Sequence, residues 1–305
     1  MIFKIPKDIT FSNFYKRLNI FSLLLISLSF LIILFKGLNL GVDFKGGTLI
    51  EVRIENKQVN IAEIRQSLLK MRLGDITVKK FGMNNDYLVK IEITDSNNTS
   101  FVKSINKQLS SDLGTVVKFR RVENVGPKVS LELLKAGLLA ISLSLAAMLI
   151  YIWIRFEWQF SLGAIAALMH DVIITIGIFS FLSYEINLSI VAAVLTIVGY
   201  SMNDTVVIFD RIRENLKKYS KISISEISNI SINETLSRTL ITSVTTLLAL
   251  FSIYIFGGAI LKGFSLAMII GVVVGTYSSI FVATPILNYT NVNQKTILKE
   301  DKENN

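Results

Sequence analysis

The chain is 305 residues long, 51% hydrophobic and only 18% charged, with a formal net charge of +9; soluble domains carry about 25% charged residues. It has no cysteine and one histidine, which excludes disulfides, thiol nucleophiles, thiolate metal sites and multi-histidine metal centres. The positive balance does not point to nucleic acid, because the basic residues sit in the tails and in one loop between apolar blocks, where membrane topology places them.

Residues 1–17 form a tail carrying Lys4, Lys7, Lys16 and Arg17, followed by an unbroken apolar run over 18–35. That run is too long for the core of a signal peptide, and no small-residue cleavage site follows it. Residues 18–36 are therefore expected to be a retained first span. Five more apolar blocks follow at 133–154, 160–182, 188–209, 239–256 and 264–287. Each is about twenty residues, enough to cross a hydrocarbon core of about 30 Å. RFEWQ, SYEIN and GGAILKG make the short connections.

Lysines and arginines set the orientation. The amino tail has four; the loop 210–238 has Arg211, Arg213, Lys217, Lys218, Lys221 and Arg238; the carboxyl tail has Lys295, Lys299 and Lys302. The alternate loops have none and Lys262 alone. Both termini are thus expected in the cytosol and residues 37–130 outside. The remaining divisions are a five-span region, 131–289, containing the cytosolic loop 210–238, and a flexible tail, 290–305. Ile222, Ile224, Ile227 and Ile230 suggest an amphipathic segment at the membrane interface within that loop.

Residues 37–130 read as a small domain. GTLIEVRIEN alternates as a strand, and Ile61, Ile64, Leu68 and Met71 share a helical face. DITVKKFG and DYLVKIEIT are strands around a Gly-Met-Asn-Asn turn. Phe101, Val102, Ile105 and Leu109 mark a second helix stopped at Gly114, and TVVKFRRVENVG is a last strand. The order βαββαβ is that of a ferredoxin-like α+β domain.

Ionisable residues inside spans cost about 2.5–3.5 kcal/mol each at the membrane centre on insertion scales, so they persist where paired, wetted or useful. Asp204 lies in VGYSMNDTVVIFDRIREN, and Arg238 lies at the start of the fifth span. Their helices run antiparallel, so the two can reach similar depths. Two readings stand: a static ion pair, or a carboxylate that gains and loses a proton beside a permanent charge. His170 and Asp171 lie mid-span in AALMHDVIITIG. They read as hydrogen-bonding glue between helices or as part of a proton path. As neighbours about 100° apart on a helix, they are not expected to share one partner. Ser201, Asn203 and Thr205 surround Asp204, and Gly271 and Gly275 form a G-x-x-x-G suited to close helix packing. No nucleophile elbow, phosphate loop, H-E-x-x-H or dinucleotide fingerprint occurs. GVDFKGGT leads into a strand rather than a helix, so it is no phosphate cradle. An enzyme is not expected.

LGVDFKGGT, VGPKV, HDV, VGYSMNDTVVIFDRIREN, SRTLITSVTTL and GTYSSIFVATPIL together resemble the smaller, SecF-type members of the SecD/SecF family, relatives of the RND superfamily. Ser130 departs from the second glycine often found after VGPxV. The resemblance implies a membrane all-α fold, a six-helix transmembrane bundle forming one RND/SecF-like half, with the ferredoxin-like domain inserted between helices one and two. It implies a subunit that assists Sec-dependent protein translocation across the cytoplasmic (inner) membrane, without cofactor and driven by the proton gradient. The partners implied are a SecD-like subunit, the SecYEG translocon with YajC and YidC, unfolded exported polypeptides and membrane lipids. Proton relay falls to Asp204 and Arg238, with His170, Asp171, Asn203 and Thr205 as secondary candidates. An RND-type exporter of small molecules or lipids and a non-transporting translocon scaffold are the alternatives.

Overall fold

The computed structural model describes residues 9–55, 58–80, 85–92, 99–219, 221–290, 292–294 and 296. They form two compact units: residues 1–39, 139–184 and 189–305 make the first, and 40–138 with 185–188 the second. The second unit adds residues 185–188 and the start of a helix to the stretch expected from sequence.

Six helices among the described residues are long and apolar enough to cross a membrane. They contain α1 (Tyr15–Lys36), α5 (Pro127–Arg155), α6 (Trp158–Phe181), α7 (Leu188–Lys218), α8 (Ile224–Phe256) and α9 (Gly258–Ser278), the last continued by a π-helical turn (Ser279–Ala283) and α10 (Thr284–Tyr289). The interior of this unit is built on α6, α7 and the last span. Gly163 lets α6 approach the Ala283 carbonyl, where an added Cβ would sit 2.7 Å away. Gly275 does the same for α9 and Ser201 on α7, at 2.9 Å. The G-x-x-x-G therefore packs, as its spacing predicts. Phe156 stacks on Phe160, and Phe209 meets both edge-on.

The stretch 210–238 is a helical hairpin rather than an open loop. α7 runs on to Lys218, and α8 starts at Ile224 behind a capping box of Ser223 and Glu226. Arg211 and Asn215 of α7 bond Glu234 of α8 across the two arms. Arg211 donates to Glu234 at 2.7 Å and to Glu214 at 2.6 Å, and Asn215 donates to Glu234 and Ser231. Ile227 is fully buried in the apolar core, with Ile222 and Ile224 packed on it. These isoleucines close the hairpin, so they do not form a separate interfacial helix. Asn233 in turn bonds the backbone N–H and carbonyl of Ile9, and Asn229 bonds the backbone N–H and the hydroxyl of Ser12.

The second unit holds a four-stranded antiparallel sheet in the order β2-β3-β1-β4: β1 (Gly47–Ile54), β2 (Ile76–Lys80), β3 (Asp86–Ile91) and β4 (Val117–Val125). With α3 (Ile61–Leu69) and α4 (Thr99–Leu113) the chain order is βαββαβ. Period-two burial along β1 and β3 sends Ile50, Val52, Ile54, Val89 and Ile91 inward against Ile64, Leu68, Ile105 and Leu109 of the helices. The Gly-Met-Asn-Asn turn falls mostly outside the described residues. A four-residue helix, α2 (Val42–Lys45), leads into β1. Gly47 then takes φ +116°, and a Cβ there would meet the Ile91 carbonyl at 2.5 Å, so only glycine lets β1 pair at this point. Ser130 is buried, its hydroxyl bonded to the Gly126 and Val42 carbonyls at 3.1 and 3.3 Å. The serine thus fits without an unsatisfied polar group.

Candidate functional site: a polar centre among the inner spans

The middle of α6 must be apolar to lie in lipid, yet it carries His170 and Asp171, both 1% exposed. Nδ1 of His170 and Oδ1 of Asp171 are 2.9 Å apart, so the two neighbours bond each other. Oδ2 of Asp171 accepts from Ser201 Oγ on α7 at 2.6 Å and from Ser278 Oγ on α9 at 2.9 Å. One carboxylate thereby joins three helices. Thr175, one turn along α6, donates back to the Asp171 carbonyl at 2.7 Å, satisfying its own hydroxyl.

On α7, Ser201, Asp204 and Thr205 share a face, at spacings of three and four. Thr205 Oγ1 lies 2.8 Å from Ser279 Oγ. Ser279 opens the π-helical turn; Ser278 before it faces α6 and Ser279 faces α7, and such turns recur at functional sites. Thr284 Oγ1 bonds the Ser279 carbonyl five residues back, at 2.8 Å. Above the imidazole, Tyr277 stacks on His170 with ring centroids 5.9 Å apart, and its hydroxyl bonds the Leu18 carbonyl at 2.9 Å and pairs with Ser22.

Asp204 is 3% exposed, and its Oδ2 has no hydrogen-bond partner among the described residues. Arg238, on an exposed face of α8, is close enough for its charge to act on Asp204. No ion pair joins them among the described residues, so the static pair is not formed in this conformation. Asn203 points away from Asp204 to an exposed face of α7. The structure thus gathers His170, Asp171 and Thr205 into the centre, leaves Asp204 unpaired at its edge, and sets Asn203 and Arg238 outside it. Ser201, Ser278 and Tyr277 are members whose part sequence reading did not assign.

The family model described as "Protein export membrane protein SecD/SecF, C-terminal" matches residues 104–293, which include every residue of this centre. The chain belongs to the SecD/SecF family. The SecD/SecF GG motif matches residues 31–58, around Gly46 and Gly47. Similar family members are the protein translocase subunits SecF of Rickettsia bellii, 45% identical over 92% of this chain and 92% of the relative, and of Vibrio alginolyticus, 46% identical over 93% and 90%. Among solved structures, SecDF of Thermus thermophilus, a translocon-associated membrane protein, superposes with a TM-score of 0.86 at 34% identity over 96% of this chain. SecDF in a super-membrane-facing form gives 0.69 at 32% identity. The chain spans 40% of the length of each SecDF chain.

Proposed function

We propose that this chain is the SecF-type subunit of a SecD–SecF assembly that assists protein translocation across the cytoplasmic membrane, drawing on the proton gradient through Asp204 beside Arg238. In this reading both termini lie in the cytosol and the sheet domain outside, where it meets unfolded exported polypeptides. The SecYEG translocon, with YajC and YidC, is the machinery it serves.

The observation that carries the proton role is the buried Asp204 carboxylate with a free oxygen, near a permanent charge but not locked to it. A carboxylate so placed can take up a proton without first breaking an ion pair, and Arg238 favours its ionised form again. One charge moving through 100 mV is worth about 2.3 kcal/mol, enough to bias helix packing.

The place of the SecD-like partner is supported by an exposed stripe. On α7, Ala192, Thr196, Gly199 and Asn203 recur at spacings of four, three and four, all exposed. On α8, Arg238, Thr245, Ala249 and Ser252 are likewise exposed. Small residues admit close helix approach, and an amide or guanidinium facing lipid is unfavourable. A partner's spans covering this stripe would satisfy both and enclose Asp204.

Asp204→Asn is expected to abolish gradient-dependent stimulation of export while the subunit still co-purifies with its SecD-like partner. Undiminished export and proton flux in that variant would leave a scaffold; dye transport by a homo-oligomer would favour an exporter instead.

A further inference from the structure

The inner spans hold a second buried carboxylate for which the Asp204 reading has no task. Asp171 sits near the centre of α6, about 20 Å along the helix from Trp158. Ser201 bonds it, and Asp204 lies three residues, about 4.5 Å, further along α7. In the orientation proposed above, that direction leads to the cytosol. The two carboxylates are therefore in series across the membrane.

Charge decides the state of the first. The groups facing Asp171 are His170 on its own helix, the stacked Tyr277 on α9, and Asp204 a turn beyond Ser201 on α7. α1 contributes the Ser22 hydroxyl to Tyr277, the π-helical turn contributes Ser279, and Arg238 on α8 acts on Asp204. No lysine or arginine bonds Asp171 among the described residues. An ionised carboxylate beside a neutral imidazole is a lone negative charge in a region of low dielectric, a cost that is relieved when the pair takes up one proton. His170 supplies the second, independent sign of exchange: its Nε2 is buried and has no hydrogen-bond partner among the described residues.

We propose that His170 and Asp171 form a proton-binding site of their own, upstream of Asp204, whose occupancy governs the grip of Ser201 and Ser278 on α6. A proton arriving at Nε2 gives an imidazolium. Its Nδ1 proton passes to Oδ1 of Asp171, leaving a neutral imidazole protonated at Nε2 and a neutral acid, one proton gained in all. As a carboxylate, Asp171 accepts both serine hydroxyls strongly; as an acid, it accepts them weakly, because charge-assisted bonds are about twice as strong as neutral ones. Protonation thus loosens α7 and α9 from α6 next to the π-helical turn. The order of the two carboxylates rests on the function proposed above; the proton site does not.

The chain's single histidine makes the test direct. The full chain is labelled with ¹⁵N-histidine in lipid nanodiscs, and the imidazole nitrogens are followed against pH by magnetic resonance. The expected result is a pH-dependent switch of the ring proton from Nδ1 to Nε2 in the wild type, its loss in Asp171→Asn, and its return in Asp171→Glu. If Asp171→Asn does not fold, Ser201→Ala retains the carboxylate and must still displace the imidazole resonances. A ring fixed in one neutral tautomer at every pH, or resonances unmoved in Ser201→Ala, overturns the proposal and leaves packing alone. Resonances that follow sodium concentration at constant pH also overturn it, assigning the position to a monovalent cation. Since the readout is the ring and not export, it stands or falls separately from Asp204.

Discussion

The two units are built inside out with respect to each other. The sheet domain keeps Ile50, Leu68, Ile105 and Leu109 at its centre, with Arg53, Lys70 and Lys118 on its surface. The membrane unit exposes apolar residues such as Leu24, Phe35, Trp153 and Ile154 on its exterior and keeps His170, Asp171 and a ring of hydroxyls at its centre. In water, burying apolar area drives the fold. In lipid that drive is absent between helices, and close packing with internal hydrogen bonds takes its place. The same substitution logic should therefore give opposite rankings in the two units.

The largest effect is expected in the domain. Leu68→Ala empties a fully buried site between α3 and the sheet and should cost about 2–5 kcal/mol. In the full chain this reads as early proteolysis within residues 40–138 while the spans remain intact. In the membrane unit, truncating an apolar residue on the lipid face should matter little, whereas losing one oxygen at the centre should be felt. Ser201→Ala removes the 2.6 Å bond to Asp171 and is expected to cost about 1–2 kcal/mol in unfolding of the detergent-solubilised chain. Ser252→Ala on α8, whose hydroxyl bonds its own helix at Leu248, should stay within about 0.5 kcal/mol. Equal effects at Ser201 and Ser252 would break the comparison.

This inversion also explains what was legible beforehand. Apolar blocks reveal spans because lipid demands them, and period-two and helical patterns reveal the domain because water demands alternation. Asp204, Arg238, His170 and Asp171 stand out because charge is rare at that depth. Ser201 and Ser278 do not, since a serine in a span is equally a small packing residue, and only a carboxylate 2.6 or 2.9 Å away from another helix tells the difference. The hairpin of α7 and α8 was hidden for a related reason. Its polarity reads as a loop until Arg211 and Glu234 are seen to bond across it at 2.7 Å.

The smallest effect sharpens the comparison on the domain's wet side. Lys70 donates to Asp112 at 2.9 Å, linking α3 to α4, and Gln108 adds a second donor at 3.0 Å. These bonds, that of Lys70 foremost, hold the Asp112 carboxyl below its ordinary value. A carboxyl lowered on folding adds stability above its unfolded value, about 3.9, and loses it as pH falls through the folded one. Acidification through that window should therefore weaken the domain slightly more in the wild type than in Lys70→Met. The check is the midpoint of acid unfolding, followed by proteolysis of the same segment. The difference should shrink with added salt, because the pair lies at the surface and is screened. The centre around Asp171, sealed from solvent ions, should show no such salt dependence, and that contrast tests whether its charges are as dry as their burial indicates.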